Sequence, residues 1–238
     1  MTTSRRNDWS SETIMAEPAQ LPGSALTVPQ EFQYSSLFHQ GEAAIAGIWL
    51  FMAQECLFFG ALFLTWIYCR YWNIAGFDAG SAETQVWIGS INTGILLTSS
   101  FAYASALLFI RAGGERGMTI LLGVVAFLGI AFLCLKGYEW HLDFADHTWV
   151  LDPDFKVKGA LQGGAKLFWS FYWFGTVLHA AHLTVGIGLV AYVIERARRG
   201  HFSAAYHTPV EVIGIYWSFV DIVWIILWPF IYLIGRAP

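Results

Sequence analysis

Charge is scarce in this sequence. Aspartate, glutamate, lysine and arginine make up 13% of its 238 residues, whereas a soluble globular domain carries about 25%. The net charge of −4 offers no basic surface of the kind that nucleic-acid binding requires, so we expect no nucleic-acid partner. Hydrophobic residues reach 56% and aromatic residues 17%, a composition that excludes intrinsic disorder and collagen-like repeats.

Cysteine is equally scarce, and metal-binding motifs are missing. The three cysteines are Cys56, Cys69 and Cys134; an odd number of widely spaced cysteines does not form a disulfide framework. The sequence contains neither the Glu-x-x-His motif of di-iron bundles nor the His-Glu-x-x-His motif of zinc peptidases. We therefore expect no catalytic residue, no metal site and no cofactor in this chain.

Long apolar segments are what the sequence does contain. An α-helix rises about 1.5 Å per residue, so about 20 apolar residues cross a bilayer. We predict an all-α polytopic membrane protein, with a polar tail over residues 1–43 and a five-helix membrane domain over residues 44–238. The five predicted helices span residues 44–68, 86–110, 118–138, 167–194 and 212–234.

The distribution of basic residues indicates the orientation of these helices, because basic residues concentrate in cytoplasmic loops. Arg111 and Arg116 fall in one very short loop, and three arginines fall within residues 196–199. Both loops lie on the side of the N-terminus, whereas lysines on the other side stand beside many acidic residues in the long 139–166 loop. The pattern predicts that the N-terminus is inside and the C-terminus is outside.

Four ionisable residues lie deep in the apolar segments, where an ionisable side chain is costly and marks a candidate site. They are Glu55, His179, His182 and Asp221. Glu55 has no basic neighbour on its own helix, so we interpret it as functional. We predict that it is protonated and hydrogen-bonded to a histidine nitrogen or a hydroxyl group.

The remaining deep polar residues have two open interpretations. His179 and His182 are three residues apart and share a helix stripe, and Asn92 shares one with Ser99 in the second segment. We expect these polar faces and that of Asp221 to point inward together. They form either a functional site or a buried polar network that only fixes the register of the helices.

Motifs in all five segments resemble subunit 3 of the haem–copper cytochrome c oxidases, in its five-helix form. They follow the order and spacing of that family over about residues 44–236. The motif segments are 47–59 (Gly-Ile-Trp-Leu-Phe, then Glu55 and two phenylalanines), 91–100 (Ile-Asn-Thr and Leu-Leu-Thr-Ser-Ser), 136–139 (Lys-Gly-Tyr-Glu), 179–182 (His-x-x-His) and 216–224 (Tyr-Trp-Ser-Phe-Val-Asp-x-Val-Trp).

One position departs from the family pattern. Ser218 stands where the family usually has histidine, and a serine does not carry a proton near neutral pH. We expect the site to have repacked around Ser218, because Trp217, Trp224 and Trp228 share its stripe. A histidine there would then overpack the site.

The resemblance implies a function for the chain and a location for each cofactor. The chain would be an accessory, non-redox subunit of a proton-pumping terminal oxidase that oxidises cytochrome c and reduces O2 to water, in a bacterial plasma membrane. Haem and copper would reside in subunits 1 and 2. The chain would pack directly on subunit 1, support its proton uptake and stability, and bind phospholipid in a groove.

The resemblance also implies roles for individual residues. Glu55 would be the proton-active buried carboxyl group. The buried polar network would consist of His179, His182, Asp221, Asn92, Ser218 and Glu139. The residues that contact lipid headgroups would be Arg70, Arg196, Arg198, Arg199 and Arg236.

Other functions fit the same sequence. Quinol oxidases have an equivalent subunit and nitric oxide reductases have a similar accessory protein, and the electron donor is determined outside this chain. From a different class, a small proton-coupled carrier would use Glu55 and Asp221, although five helices do not divide into the equal inverted halves of many transporters.

Overall fold

The computed structural model describes residues 32–34 and 36–236, and within these ranges the chain is helical without regular strands. A short 3-10 helix at Gly159–Leu161 directly precedes the fifth α-helix. The α-helices are α1 (Leu37–Trp72), α2 (Ile74–Ala82), α3 (Val86–Arg111), α4 (Glu115–Ala145), α5 (Gln162–Arg198) and α6 (Thr208–Tyr232).

Five of the described helices are long and apolar enough to cross a membrane, namely α1 and α3 to α6. This confirms the prediction of an all-α protein with five helices of membrane-spanning length. The helices α1, α4 and α5 extend beyond the predicted apolar segments at both ends, because backbone hydrogen bonding continues through polar residues there, whereas α6 begins four residues earlier and ends two residues earlier than predicted. The first helix begins at Leu37, where the Ser36 hydroxyl accepts a hydrogen bond from the His39 amide at 3.2 Å.

The predicted polar tail is therefore shorter than residues 1–43. Residues 37–43 form the first turns of α1, and most of the remaining tail lies outside the described residues. The helix continues there because Gly41 to Ala44 offer no proline to interrupt it.

The short helix α2 was not predicted from the sequence. It buries Gly76, Phe77, Gly80 and Ser81, and its glycine face packs directly on the start of α5. A Cβ atom added at Gly76 would lie 2.5 Å from the Cα atom of Gly164. The two backbones thus approach as closely as glycine allows, which is typical of contacts between membrane helices.

The core lies where α3, α4, α5 and α6 meet, and α1 lies at the edge of the bundle. Three fully buried tryptophans, Trp169, Trp217 and Trp224, occupy this core, and the Trp224 ring meets the Phe132 ring edge to face at 4.8 Å. In the part of each helix that is long enough to cross a membrane, 11% of the α1 residues are buried, against 28–56% in the other four helices. The α1 helix therefore presents most of its apolar surface to its surroundings.

Candidate functional site

The structure pairs Glu55 on α1 with His182 on α5. The Glu55 Oε2 atom lies 3.3 Å from the His182 Nε2 atom, and the two side chains are 11% and 19% exposed. The Phe59 ring stands edge-on to the imidazole at 5.4 Å. The pair is thus largely shielded by protein, at the seam between the edge helix and the core.

The backbone fixes the protonation of one His182 nitrogen. The Nδ1 atom lies 2.8 Å from the Leu178 carbonyl oxygen, and a carbonyl only accepts, so Nδ1 carries a hydrogen. In a neutral ring Nε2 is then free to accept a hydrogen from a protonated Glu55, and in the alternative state an ionised Glu55 faces an imidazolium. The Glu55 Oε2 atom lies 3.3 Å from Nε2 but forms no hydrogen bond of regular geometry with any described residue.

His179 does not join this pair, although it is only one turn away. It is buried, and neither ring nitrogen has a hydrogen-bond partner within the described chain. Its ring lies 4.9 Å from the Trp224 ring and 5.5 Å from the Phe132 ring. Asn92 on α3 is similarly buried without partners for its amide atoms in that part of the chain.

Asp221 belongs to a third location, the interface of α6 with α3. It accepts a hydrogen bond from the Ser100 hydroxyl, and the neighbouring Trp217 indole donates to the Ser99 hydroxyl at 3.1 Å. These deep polar residues are largely buried inside the bundle, but they lie in separate places and form no single cluster. Helical positions three residues apart differ by about 60° in direction, enough to send His179 and His182 to different neighbours.

Ser218 requires a correction. The buried network was expected to include it, but the residue is exposed and faces a groove, whereas Trp217 and Trp224 point into the core. The indole rings thus do not crowd Ser218. Successive residues of a helix differ by about 100° in direction, so sharing a broad stripe with tryptophans did not place Ser218 among them.

Glu139 lies in a buried cluster at the C-terminal end of α4. Its Oε2 atom lies 3.1 Å from the Lys136 ammonium, and its Oε1 atom accepts from the Tyr232 hydroxyl at 2.5 Å and the Tyr172 hydroxyl at 3.1 Å. The Tyr172 hydroxyl also hydrogen-bonds Asp143. Of these five residues only Glu139 was predicted as a site residue, although the spacing of Lys136, Glu139 and Asp143 places all three on one helix face.

An apolar groove of about 720 Å³ runs along the bundle between α1, α3 and α6. At one end stands the Arg111–Glu211 ion pair, with 2.6 Å between the charged atoms. Its other lining residues include Trp49, Phe59, Phe63, Leu107, Phe219 and Ile222.

Arg236, one of the predicted headgroup residues, binds the protein itself. Its guanidinium donates to the carbonyl oxygens of Ser81, Ala82 and Thr84 at 3.0, 2.9 and 2.6 Å. It thus satisfies carbonyls at the C-terminal end of α2, where a cation also complements the helix dipole. Arg236 therefore caps the end of α2, and its assignment to a lipid headgroup stays a prediction.

Among the other four predicted headgroup residues, Arg198 and Arg199 are exposed and Arg70 and Arg196 are half-buried. Arg198 forms no ion pair with any described residue and borders a shallow surface depression. The remaining three have protein partners, in the pairs Arg70–Asp78 (2.8 Å), Arg196–Tyr192 (3.2 Å) and Arg199–Glu195 (2.5 Å).

Five membrane-length helices around separate buried polar groups define a polytopic helical membrane protein. Among the described residues, no three His, Cys, Asp or Glu side chains converge to hold a metal ion. Comparisons with known proteins identify its family: residues 39–236 match the family model of cytochrome c oxidase subunit III. The chain belongs to this family of haem–copper oxidase subunits, which confirms the resemblance seen in the sequence.

Individual relatives agree with the family match. Cytochrome c oxidase subunit 3 of Thermostichus vulcanus is 31% identical over 193 residues, which cover 81% of this chain and 88% of the relative. The subunit of the same name from Synechocystis is 32% identical over 190 residues, with coverages of 79% and 74%. Cytochrome bo(3) ubiquinol oxidase subunit 3 of Pseudomonas putida is 27% identical over 195 residues, with coverages of 82% and 87%.

These findings establish the general role of the chain. It is an integral membrane protein and the accessory subunit III of a haem–copper terminal oxidase, an oxidoreductase complex with further oxidase subunits.

Proposed function

We propose that this chain is the non-redox third subunit of a proton-pumping oxidase that oxidises cytochrome c and reduces O2 to water, in a bacterial plasma membrane. The observation that carries the proposal is the family match over residues 39–236, which includes nearly all of every membrane-length helix. Two relatives above 30% identity are cytochrome c oxidase subunits, whereas a ubiquinol oxidase relative is 27% identical. Haem and copper reside in partner subunits 1 and 2.

Purification of the chain from its native membrane in mild detergent tests this proposal. We expect haem at a fixed stoichiometry, cross-links to subunit 1, and faster turnover with reduced cytochrome c than with quinol. The separated chain should bind no stoichiometric haem or copper. Turnover with quinol alone would assign the chain to the quinol branch, and proton-coupled transport by the chain alone in liposomes would support the carrier instead.

The N-terminus lies inside and the C-terminus outside in this proposal. The α3–α4 loop with Arg111 and Arg116 is then on the inner side, and the 146–158 loop is on the outer side. A cysteine introduced at Gly113 should be protected from an impermeant thiol reagent in right-side-out vesicles, and one introduced at Gly159 should react. Both glycines have φ angles of 80°, which strain a cysteine side chain. Their surroundings are open, so a short flexible reporter sequence inserted next to each glycine provides a second test.

Glu55 is the proton-active carboxyl group through which this subunit supports proton uptake. The support for this role is its geometry: the Leu178 carbonyl fixes a hydrogen on His182 Nδ1, which leaves Nε2, 3.3 Å from Glu55 Oε2, as the nitrogen that can exchange a proton with the carboxyl group. A carboxyl group in this position releases and rebinds one proton without any rearrangement of the backbone.

Two substitutions separate the proton role of Glu55 from its packing role. Glu55→Gln retains shape and hydrogen bonding, so we expect an assembled complex with slower proton uptake. Glu55→Ala leaves His182 Nε2 without its partner, a loss of about 1–3 kcal/mol, and should weaken assembly. Gln54→Ala, on the exposed side of the same turn, is the control.

Infrared spectroscopy determines the protonation state of Glu55. We expect a carboxylic acid band near neutral pH that is missing from Glu55→Gln. Loss of a carboxylate band instead would contradict a protonated Glu55. Failure of Glu55→Gln to assemble would indicate a charged structural role.

The groove between α1, α3 and α6 binds a phospholipid, with acyl chains along its aromatic wall and the phosphate at Arg111. The Arg111 side chain is 54% exposed despite its ion pair with Glu211, so it retains guanidinium donors for a phosphate. Basic side chains at membrane interfaces attract lipid headgroups. Native mass spectrometry should detect phospholipid bound to the wild-type chain. Arg111→Gln should lose this lipid, and the control Arg116→Gln, at the nearby start of α4, should retain it. Equal retention in both variants would contradict this site.

A further inference from the structure

The cluster around Glu139 contains more ionisable groups than packing requires, and the proposed function gives it no role. We propose that Lys136, Glu139, Asp143, Tyr172 and Tyr232 form a binding site for one exchangeable proton, which rests on Asp143 near neutral pH. The five side chains come from α4, α5 and α6, and each residue is at most 2% exposed. The argument for the proton rests on two separate counts, one of charges and one of hydrogens.

Lys136 is the cation of the site. Its ammonium donates to the Tyr232 hydroxyl at 2.8 Å and to the Tyr172 hydroxyl at 3.1 Å, and it forms an ion pair with the Glu139 Oε2 atom at 3.1 Å. Its Nζ atom also lies 4.6 Å from the centre of the Tyr172 ring, a favourable position for a cation. A neutral amine would leave an ionised Glu139, whose Oε2 atom has no hydrogen-bond partner in the described chain, without a compensating charge.

The charges do not balance if both carboxyl groups are ionised. One ammonium would then face two carboxylates, and the buried site would carry an uncompensated negative charge. A buried charge without a partner is strongly unfavourable. One bound proton makes the site neutral, with a single ion pair between Lys136 and Glu139.

The hydrogen count leads to the same number. Three hydrogen bonds join oxygen atoms in the cluster: Tyr232 to Glu139 at 2.5 Å, Tyr172 to Glu139 at 3.1 Å, and Tyr172 to Asp143. Each bond contains one hydrogen, and the two phenols supply only two. The third hydrogen belongs to a carboxyl group.

The surroundings of the two carboxyl groups assign this proton to Asp143. Glu139 faces the Lys136 ammonium through Oε2 and accepts both phenol hydrogens through Oε1, which favours its ionised form. Asp143 has the Tyr172 hydroxyl as its hydrogen-bond partner, lies farther along α4 from the cation, and has the acidic Asp146 at the same helix end. A protonated Asp143 donates to the Tyr172 oxygen, and Tyr172 donates onward to Glu139.

The position of Asp143 gives the proton a route to water. Asp143 lies two residues before the end of α4, and its carbonyl accepts from the Thr148 hydroxyl at 2.8 Å. The loop that follows is exposed at Asp146 and His147. On release, the O–H bond of Asp143 breaks, the proton passes to water at this loop, and Tyr172 turns its hydrogen toward the new carboxylate. Rebinding reverses each change.

Infrared difference spectroscopy on the full-length chain, with the subunits that co-purify with it, tests the site. A protonated Glu55 contributes one carboxylic acid band, and we expect a second band that is missing from Asp143→Asn and retained in Glu55→Gln. Asp154→Asn, whose parent side chain is exposed, should lose neither band. In Lys136→Met both carboxyl groups of the cluster should bind a proton, so the intensity assigned to the cluster should double. In D2O the band that Asp143→Asn lacks should shift, because the proton exchanges.

Isotope labelling locates the proton without any substitution. The band that Asp143→Asn lacks should move to lower frequency when aspartate is labelled with carbon-13, and labelled glutamate should shift only the band of Glu55. Carboxylic acid bands that all respond to labelled glutamate, with none that responds to labelled aspartate, would overturn the assignment to Asp143. Identical spectra for wild type and Asp143→Asn, or a band unchanged in D2O, would overturn the proposal of an exchangeable proton.

Discussion

The contact between α2 and α5 makes a sharp prediction, because two neighbouring glycines of α5 have opposite surroundings. Gly164 is buried against α2, and an added Cβ atom would lie 2.8 Å from the Gly76 Cα atom. Gly163 is exposed, and an added Cβ atom there would meet nothing within 4 Å. We predict that Gly164→Ala destabilises the protein and that Gly163→Ala does not.

The expected magnitude follows from the size of the clash. Ordinary contact begins at 3.4 Å, so α2 would have to move by about 0.6 Å away from Gly164. The neighbour is backbone and does not rotate away. Overpacking of this kind costs about 1–3 kcal/mol, and each kcal/mol corresponds to about 2–4 °C in a domain of this size. Gly164→Ala should therefore unfold about 2–12 °C below Gly163→Ala.

Thermal unfolding in detergent, followed by tryptophan fluorescence, measures this difference. Alanine is about 1 kcal/mol more favourable than glycine in a helix, but this gain applies to both variants, so their comparison isolates the contact. Equal unfolding temperatures would show that α2 moves freely on α5 and would refute the reasoning. An unfolding temperature of Gly163→Ala well below wild type would show that the control itself disturbs the helix.

Two further predictions concern the surface of the bundle. Ser218→His should change the free energy of unfolding by less than about 0.5 kcal/mol, as exposed substitutions usually do; a clear loss in thermal unfolding would show that the groove wall is tightly packed. Lys156 lies 2.7 Å from Glu83 and 3.2 Å from Asp146, and its hydrogen bond to Glu83 raises its pKa above the ordinary 10.5. Its stabilisation is therefore present below pH 10.5 and is lost as the pH rises through the raised pKa. Lys156→Met should unfold at a lower temperature than Lys158→Met at lower pH, and the two unfolding temperatures should become equal at high pH. A difference in unfolding temperature that is unaffected by pH would contradict the ion pair.

The membrane-length helices were predictable because the bilayer imposes one simple requirement, a continuous apolar run of sufficient length. The short helix α2 was not predictable in this way. Its buried face consists of Gly76, Gly80 and two larger residues, and its stability comes from close backbone contact with α5. Local apolar periodicity carries no signal for a contact of that kind.

The sequence predicted which types of residue form the polar sites, but it predicted few of the contacts between them. Because an ionisable group in a membrane is costly, Glu55 and His182 were recognised as candidate site residues, and the structure pairs them. The partners of Glu139 lie on three helices, so no short motif contains them. Arg236 shows a further limit: an arginine at a helix end suits a lipid phosphate and a row of carbonyl oxygens equally well, and only the tertiary structure distinguishes them.

The cluster around Glu139 also has a consequence for how the chain enters the membrane during synthesis. The helix α4 contributes three buried charged or acidic side chains to this cluster, but the phenols that hydrogen-bond them lie 36 and 96 residues after Lys136, at Tyr172 and Tyr232. At about 5–20 residues per second, the second phenol is made about 5–20 s later. Until then the C-terminal end of α4 is costly to bury in lipid. We therefore expect α4 to reach its final depth in the membrane only after the last helix has been inserted. Insertion would then be completed for α6 before it is completed for α4.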